Sequence, residues 1–366
     1  MWYRITPKSP NSLRAQMLIE TGNESMNDNS AAHAPNPAVI FDTLNAYQRT
    51  GALRAAIELR IFSIIHRTPL SAEHIALKCQ ASLRGIRILC DYLTVHGFLI
   101  KSKMAYSLTP ASAAFLDEAS PQYMGAVAKF VASDEMMNTF RGVTDSVIKG
   151  GTLLPDGGST RIDYEPWVEF AESMAPMMMP SAQFIAGLVS ERFLQKPIRV
   201  FDIAASHGQF GLSIARQMSA ATIVAQDFSP VLTVTRRNVE HAGMNSRYEF
   251  LPGDVMTIDF PGTFDCILLT NFLHHFSPSA CEGLLKRLRN HLNPDGIVVT
   301  LEFVPNEDRI SPPMPATFAL TMLLTTGAGD AYTFSEYCHM FANAGFQQNH
   351  LHDVPQSTSR LLVSSI

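Results

Sequence analysis

The chain has 366 residues, 46% of them hydrophobic and 17% charged, which is enough to bury a sizeable core and too apolar for a disordered protein. Single cores stop growing at roughly 250–300 residues, so the length predicts two domains. A formal net charge of -5 argues against a surface built to neutralise phosphates, and five cysteines without CxxC spacing indicate neither a disulfide framework nor a zinc site.

The stretch from Met1 to about Pro35 is polar and lacks the continuous apolar run of a secretory signal. It reads as a flexible extension over residues 1–36, with Met26 an alternative start. No run reaches the ~18 apolar residues of a membrane span, and a cytoplasmic location fits. Residues 38–66 place Val39, Ile40, Leu44, Tyr47, Ala55, Ala56, Leu59, Phe62 and Ile65 at helical spacing. Ser71 can cap a helix entered by Ala72 and Glu73, and a further helix over Leu83–His96 stops at Gly97. Phe98–Ile100 and Tyr106–Leu108 flank Lys101-Ser102-Lys103 as a small hairpin. This is the winged-helix order, over residues 37–125. Its would-be recognition helix, Leu83–Leu93, offers only Arg84 and Arg87 on an otherwise mostly apolar surface, so packing or dimerisation is favoured over DNA binding.

Residues 126–190 read as a helical linker or substrate cap, rich in Met and Phe and interrupted at Gly150-Gly151 and Asp156-Gly157-Gly158. Core packing and an adaptable lining for a flat organic molecule both fit that composition. From residue 191 strands alternate with helices. Strands are expected at 198–203, 222–226, 248–251, 266–269 and 296–301, with helices near 210–218, 230–242, 279–292 and 334–344. That pattern implies a mostly parallel α/β sheet covered on both faces, and the short link between 350–354 and 360–363 implies an antiparallel final pair.

Ligands of such sheets bind beyond the carboxyl ends of the strands. The first strand ends in Asp202-Ile203-Ala204-Ala205-Ser206-His207-Gly208, where small residues permit close backbone approach. Asp227 ends the next strand, where a carboxylate can grip a ribose diol. An ordinary strand-to-helix turn is the alternative reading of the first segment, and its degraded GxGxxG separates no cofactor from another. His274 and His275 follow the fourth strand on the ligand side, and Glu302 ends the fifth. Histidine titrates near neutrality and suits a general base, and a carboxylate on its far nitrogen would fix the tautomer. Alternatively, His274 caps a helix near Pro278 and Glu302 makes a surface ion pair.

Residues 37–366 resemble the bacterial and plant small-molecule O-methyltransferases with an N-terminal dimerisation domain, the group including acetylserotonin- and caffeate-type enzymes. The resemblance rests on Asp202–Gly208 (family pattern DxGxGxG), Gly253-Asp254, Asn271–Phe276 and Leu301-Glu302. It implies a Rossmann-like seven-stranded domain over 191–366 with an antiparallel C-terminal hairpin. The implied cofactor is S-adenosylmethionine (SAM), with S-adenosylhomocysteine as product and no metal. The resemblance also implies a homodimer formed through the N-terminal domain, with neither nucleic acid nor membrane as partner.

By the same resemblance Asp227 grips the ribose beside Phe228, Asp254 with Val255 contacts adenine, and Asp202, Ala204, Ser206 and Gly208 face the methionine portion, with Asn271 nearby. His274 is the implied base and Glu302 its orienting partner, acting on a hydroxyl of a small aromatic or polyketide-like metabolite of secondary metabolism. Phe130, Trp167, Met174, Met178, His275, Phe318, Met322 and Thr326 are expected at the acceptor. The chain departs from the family at Ala204 and Ser206 (usually glycine), His275 (commonly Asp), Thr326 (Asn in some relatives) and Ala331 (a second glutamate). An NAD(P)-dependent oxidoreductase, a ligand-sensing winged-helix regulator, and a SAM-retaining relative with C- or N-methylation or non-methylation chemistry are the alternative readings.

Overall fold

The computed structural model describes residues 36–162 and 164–366, so the polar extension falls almost wholly outside it. The helical stretch expected over 38–66 is three helices, α1 (Ala38–Leu44), α2 (Ala46–Glu58) and α3 (Ile61–Ile65). The break before α3 is a left-handed residue, Arg60 at φ 55, a conformation that cannot continue a helix. Strand β1 (Leu70–Ser71) leads into α4 (Ala72–Cys79), whose first turn is capped as expected by Ser71 accepting from the His74 N–H. Helix α5 (Leu83–Val95) has its own serine cap at Ser82, and Gly97 follows it at φ 78.

Strands β2 (Leu99–Ser102) and β3 (Ala105–Leu108) form the expected hairpin, and β1 adds to β3 as a third strand. Ile61, Phe62, Ile65, Ile75, Ile86, Cys90, Leu93 and Tyr106 bury together as the core of this unit. Asp91 ties α5 to the hairpin by accepting from the Tyr106 hydroxyl at 2.7 Å, and it also holds Arg87 at 2.9 Å. One of the two arginines of the supposed recognition helix is therefore already paired.

Short helices α6 (Pro110–Phe115), α7 (Ala128–Val131), α8 (Asp134–Arg141) and α9 (Val143–Lys149) lead to α10 (Pro166–Ser173) and the long α11 (Ala175–Phe193). The alternating half follows: β4 (Arg199–Ile203), α12 (Gln209–Gln217), β5 (Thr222–Asp227), α13 (Ser229–His241), β6 (Tyr248–Pro252), β7 (Phe264–Thr270), α14 (Pro278–Arg289), β8 (Leu292–Glu302), α15 (Pro313–Thr325), α16 (Phe334–Asn343), β9 (Gln348–Asp353) and β10 (Arg360–Ser365). The sheet order is β6-β5-β4-β7-β8-β10-β9. β4 to β8 run parallel, whereas β10 is antiparallel to both β8 and β9.

Side chains alternate across the pleat, so two cores form. Val200, Ile223, Cys266 and Val299 pack under α11 and α12 on one face, and Phe201, Val224, Ile267 and Val298 with α14 and α16 residues on the other. Helix α15 was not anticipated. Its segment, PMPATFALTMLLT, is apolar on nearly every face and so lacks a 3.6-residue period to detect. None of the described helices is long and apolar enough to cross a membrane.

Candidate functional site

The carboxyl ends of β4, β5, β7 and β8 meet α10, α11 and α15 around one cavity of about 530 Å³. The loop after β4 forms its floor. Ala204 and Ser206 adopt φ 51 and 53, and Gly208 φ 72. The two departures from glycine thus sit in the left-handed region, where each side chain costs roughly 1–2 kcal/mol. A dense hydrogen-bond set offsets that strain: Ser206 N–H donates to Asp227 Oδ2 at 2.8 Å, Thr235 donates to the Ser206 carbonyl at 2.6 Å, and Ala205 N–H donates to the Gln226 carbonyl at 2.9 Å. Glycine is required at 208, because a Cβ there would lie 2.8 Å from Thr235 Cγ2.

Asp202 is fully buried beneath this loop, and its Oδ2 accepts the Gly211 N–H at 3.1 Å while Oδ1 has no partner. Burial pushes its carboxyl up to about 7, with the nearby Asp227 charge adding to the effect. Asp227 closes β5; its Oδ1 accepts from the Phe228 N–H at 2.7 Å. Burial raises it to about 6 even though two amides favour the carboxylate. Asp254 accepts from Met256 N–H at 2.9 Å, and Gln226 Nε2 donates to the Gly253 carbonyl at 2.6 Å, fixing the loop after β6. Asn271 follows β7 at φ 53; its Nδ2 contacts Met178 Sδ at 3.5 Å and its Oδ1 is buried without a partner.

At the ends of β7 and β8 stand the two histidines and the glutamate. Glu302 Oε1 accepts the N–H groups of Phe272 and Leu273 at 3.0 and 2.8 Å, and Oε2 bonds His274 Nδ1. His274 is 3% exposed and Glu302 1%. That overturns the surface ion pair, and the cap of α14 is Ser277, whose hydroxyl accepts from Ala280 N–H at 3.3 Å. His274 Nε2 lies 3.1 Å from His275 Nε2. A neutral His274 that donates Nδ1–H to Glu302 carries its lone pair on Nε2, so His275 Nε2–H is the donor across that contact. His275 Nδ1 is then a buried acceptor without a partner. Burial, reinforced by His274, holds the His275 imidazole well below its ordinary pKa and therefore neutral.

Ala204, Ser206, Asp227, Phe228, Asp254, Val255, Asn271 and His274 line the cavity. So do Phe130, Trp167, Met174, Met178, His275, Phe318 and Met322. Trp167 sits edge-on to His275 at 5.2 Å and donates Nε1–H to the Ser159 carbonyl at 2.7 Å. Asp202, Gly208 and Glu302 stand behind the wall as supports.

Thr326 does not face the cavity. It is 1% exposed, and its hydroxyl donates to the Met322 carbonyl at 2.7 Å and accepts the Gly329 N–H at 2.8 Å, so Thr325 lines the wall instead. Asp330 does not stand in for the glutamate replaced by Ala331, because its carboxylate reaches outward to Arg309 at 3.4 Å. Ser159, Met314 and Thr321 also line the cavity and had no motif to announce them, and His207 joins them from an unspecified position of the Asp202–Gly208 pattern. Among the described residues no group of three or more His, Cys, Asp or Glu could hold a metal.

Comparison with known proteins gives consistent matches. Residues 41–118 match the O-methyltransferase dimerisation domain and residues 170–347 the O-methyltransferase domain. The crystal structure of a protein assigned as an O-methyltransferase from Nostoc punctiforme superposes with a TM-score of 0.86 at 43% identity, covering 90% of this chain and 99% of that one. The S-adenosyl-L-methionine-dependent methyl transferase PigF of Serratia sp. is 24% identical over 309 residues, 82% of this chain and 88% of its own length. Human N-acetylserotonin methyltransferase in complex with SAM has a TM-score of 0.79 at 19% identity, covering 92% of this chain and 99% of that one.

Proposed function

The chain belongs to the SAM-dependent O-methyltransferases, and from that membership we propose that it methylates a hydroxyl group of a small, flat, largely apolar acceptor with His274 as general base. Hydride transfer and DNA-bound regulation give way to this family.

The cavity wall fits the cofactor. Ser206 Oγ and Asn271 Oδ1 are buried there without partners, and Asp227 presents a carboxylate to the same space. Asp227 with Phe228 would hold the ribose and Asp254 with Val255 the adenine. Ser206, Asn271 and the loop backbone from Ala204 to Gly208, braced by Asp202, would hold the methionine portion. When bound, SAM supplies an electrophilic methyl group on a sulfonium.

The chain's own residues handle the acceptor and its proton. Met174, Met178 and Met322 with Phe130, Trp167 and Phe318 provide thioether and ring surfaces that suit an aromatic or polyketide-like skeleton. An acceptor hydroxyl takes the place of His275 at His274 Nε2 and gives up its proton there. Glu302 steadies the resulting imidazolium through Nδ1–H, a role typically worth 10²–10⁴-fold in rate for the base it serves. The observation that carries this reading is the buried His274–Glu302 pair in the cavity wall, with Nε2 left to the neighbouring His275.

Residues 37–125 would form the dimerisation domain, 126–190 the acceptor cap and 191–366 the cofactor domain, the protein working as a homodimer. The dimerisation-domain match and the largely exposed Leu77, Val95 and Met104 support the dimer, which sedimentation tests. For the chemistry, His274→Gln should still bind S-adenosylhomocysteine yet transfer labelled methyl to hydroxylated polycyclic aromatics at least 100-fold more slowly, a loss set by general-base catalysis. Undiminished turnover in that variant removes His274 from the mechanism, and a product methylated at carbon or nitrogen removes the hydroxyl acceptor.

A further inference from the structure

His207 is 1% exposed and lies in the cavity wall, and its side chain has no part in the machinery above. Its Nδ1 accepts the Gln209 N–H at 3.1 Å. A ring nitrogen that accepts carries no proton, so the imidazole proton is on Nε2. Burial pulls the pKa down to about 4, which keeps the ring neutral and that tautomer in place at ordinary pH. Among the described residues Nε2–H has no protein partner.

The ring is also held rigidly. Asn238 Nδ2 donates to the His207 carbonyl at 2.9 Å, and the Phe210 ring lies 5.8 Å away. Helix α12 begins at the next residues without any hydroxyl or carboxylate cap on Gly208. The His207 ring takes that helix's first free amide, so the positive end of the helix dipole is relayed through the imidazole to Nε2–H.

The charges lining the cavity are one-sided. Asp227 and Asp254 are there, and none of the lining residues is Lys or Arg. With no Lys or Arg in the lining, the floor beside the loop after β4 has only neutral donors to offer an anionic group. Besides His207 Nε2–H, the floor offers the buried and unpartnered Ser206 Oγ. Adenine and ribose carry no negative charge, so the tail carboxylate is the one part of the cofactor that calls for such donors.

We propose that His207 is a cofactor-binding residue whose Nε2–H donates to the carboxylate of the methionine tail, with the Ser206 hydroxyl as second donor. This rests on the cofactor reading above. It assigns selectivity for the amino-acid tail to a position that the glycine-rich pattern leaves unspecified.

The test compares S-adenosylhomocysteine with 5′-methylthioadenosine, an adenosyl thioether without the amino-acid tail, by calorimetry on the full chain. His207→Asn keeps an oxygen for the Gln209 N–H, in the manner of an Asx-turn, but loses the donor at the Nε2 position. His207→Gln places an amide N–H near that position and gives up the cap. Wild type should favour the homocysteine ligand, and His207→Asn should shrink the preference by roughly 10- to 100-fold, the usual worth of a hydrogen bond to a charged group. Methylthioadenosine affinity should stay constant in His207→Asn, and His207→Gln should retain the preference within about threefold, because it keeps the donor. An unchanged preference in His207→Asn, or equal weakening of both ligands, overturns the proposal and leaves His207 as a helix cap. Failure of wild type to bind either ligand overturns the cofactor reading itself.

Discussion

Replacing Glu302 by glutamine changes one atom and should disable the base. Glu302 satisfies three donors, accepting from two backbone amides at Oε1 and from His274 at Oε2. An amide has one acceptor oxygen. Left on the Phe272 and Leu273 N–H groups, that oxygen keeps two bonds of 3.0 and 2.8 Å, and the new NH2 then faces His274 Nδ1. Two donors cannot share a hydrogen bond, so the imidazole must move its proton to Nε2. The lone pair leaves Nε2. Turning the amide around saves the tautomer but sets the NH2 against two buried N–H groups, costing about 1–3 kcal/mol for each donor left unpaired. The cheaper outcome is the wrong tautomer. Turnover should fall by about 10²–10⁴-fold, the span for loss of a general base or of its orienting carboxylate. Binding of S-adenosylhomocysteine should stay within about twofold, because Glu302 touches none of the groups proposed to hold it. The assay is initial-rate transfer of labelled methyl to a hydroxylated polycyclic acceptor, paired with calorimetry. Activity within threefold of wild type, or parallel loss of cofactor binding, would refute the reasoning.

Acid should weaken the cofactor through Asp227. The proposed grip on the ribose needs the carboxylate form of Asp227, and burial raises that carboxyl to about 6. Affinity for S-adenosylhomocysteine should be flat above pH 7 and about tenfold weaker at pH 5, with proton release on binding there; equal affinities at pH 5 and 7.5 contradict this. Gly211→Ala would set a Cβ 2.8 Å from Asp202 Oδ2 and 3.0 Å from Ile223 Cγ2 in a sealed part of the core. Overpacking of that kind costs about 1–3 kcal/mol, read as a lower thermal midpoint; an unchanged midpoint would mean that the strand-to-helix turn yields easily. Trp167→Phe removes the 2.7 Å bond to Ser159 and should raise the acceptor KM about fivefold with cofactor affinity constant. Equal effects on both ligands would assign Trp167 to the fold.

The sequence determined much by itself. Strand and helix alternation from Ile198, the hairpin after Gly97 and the antiparallel end were legible because a buried strand and a capped helix each leave a local periodic or capping signal. His274 and Glu302 were also readable as neighbours, since Glu302 ends β8, His274 follows β7 by a short turn, and strand ends meet at one edge of a parallel sheet. Tertiary structure alone decided the rest. The helix α15 wall has no amphipathic period, and Thr326 turned inward because its hydroxyl satisfies Met322 and Gly329 within the fold. The tolerance of Ala204 and Ser206 in left-handed geometry comes from partners on β5 and α13. His207 acquired its tautomer only when the Gln209 amide met Nδ1, with Asn238 holding its carbonyl. Local pattern fixes what a segment becomes; the hydrogen-bond partners of a buried polar atom come from distant strands and helices, and only packing brings them there.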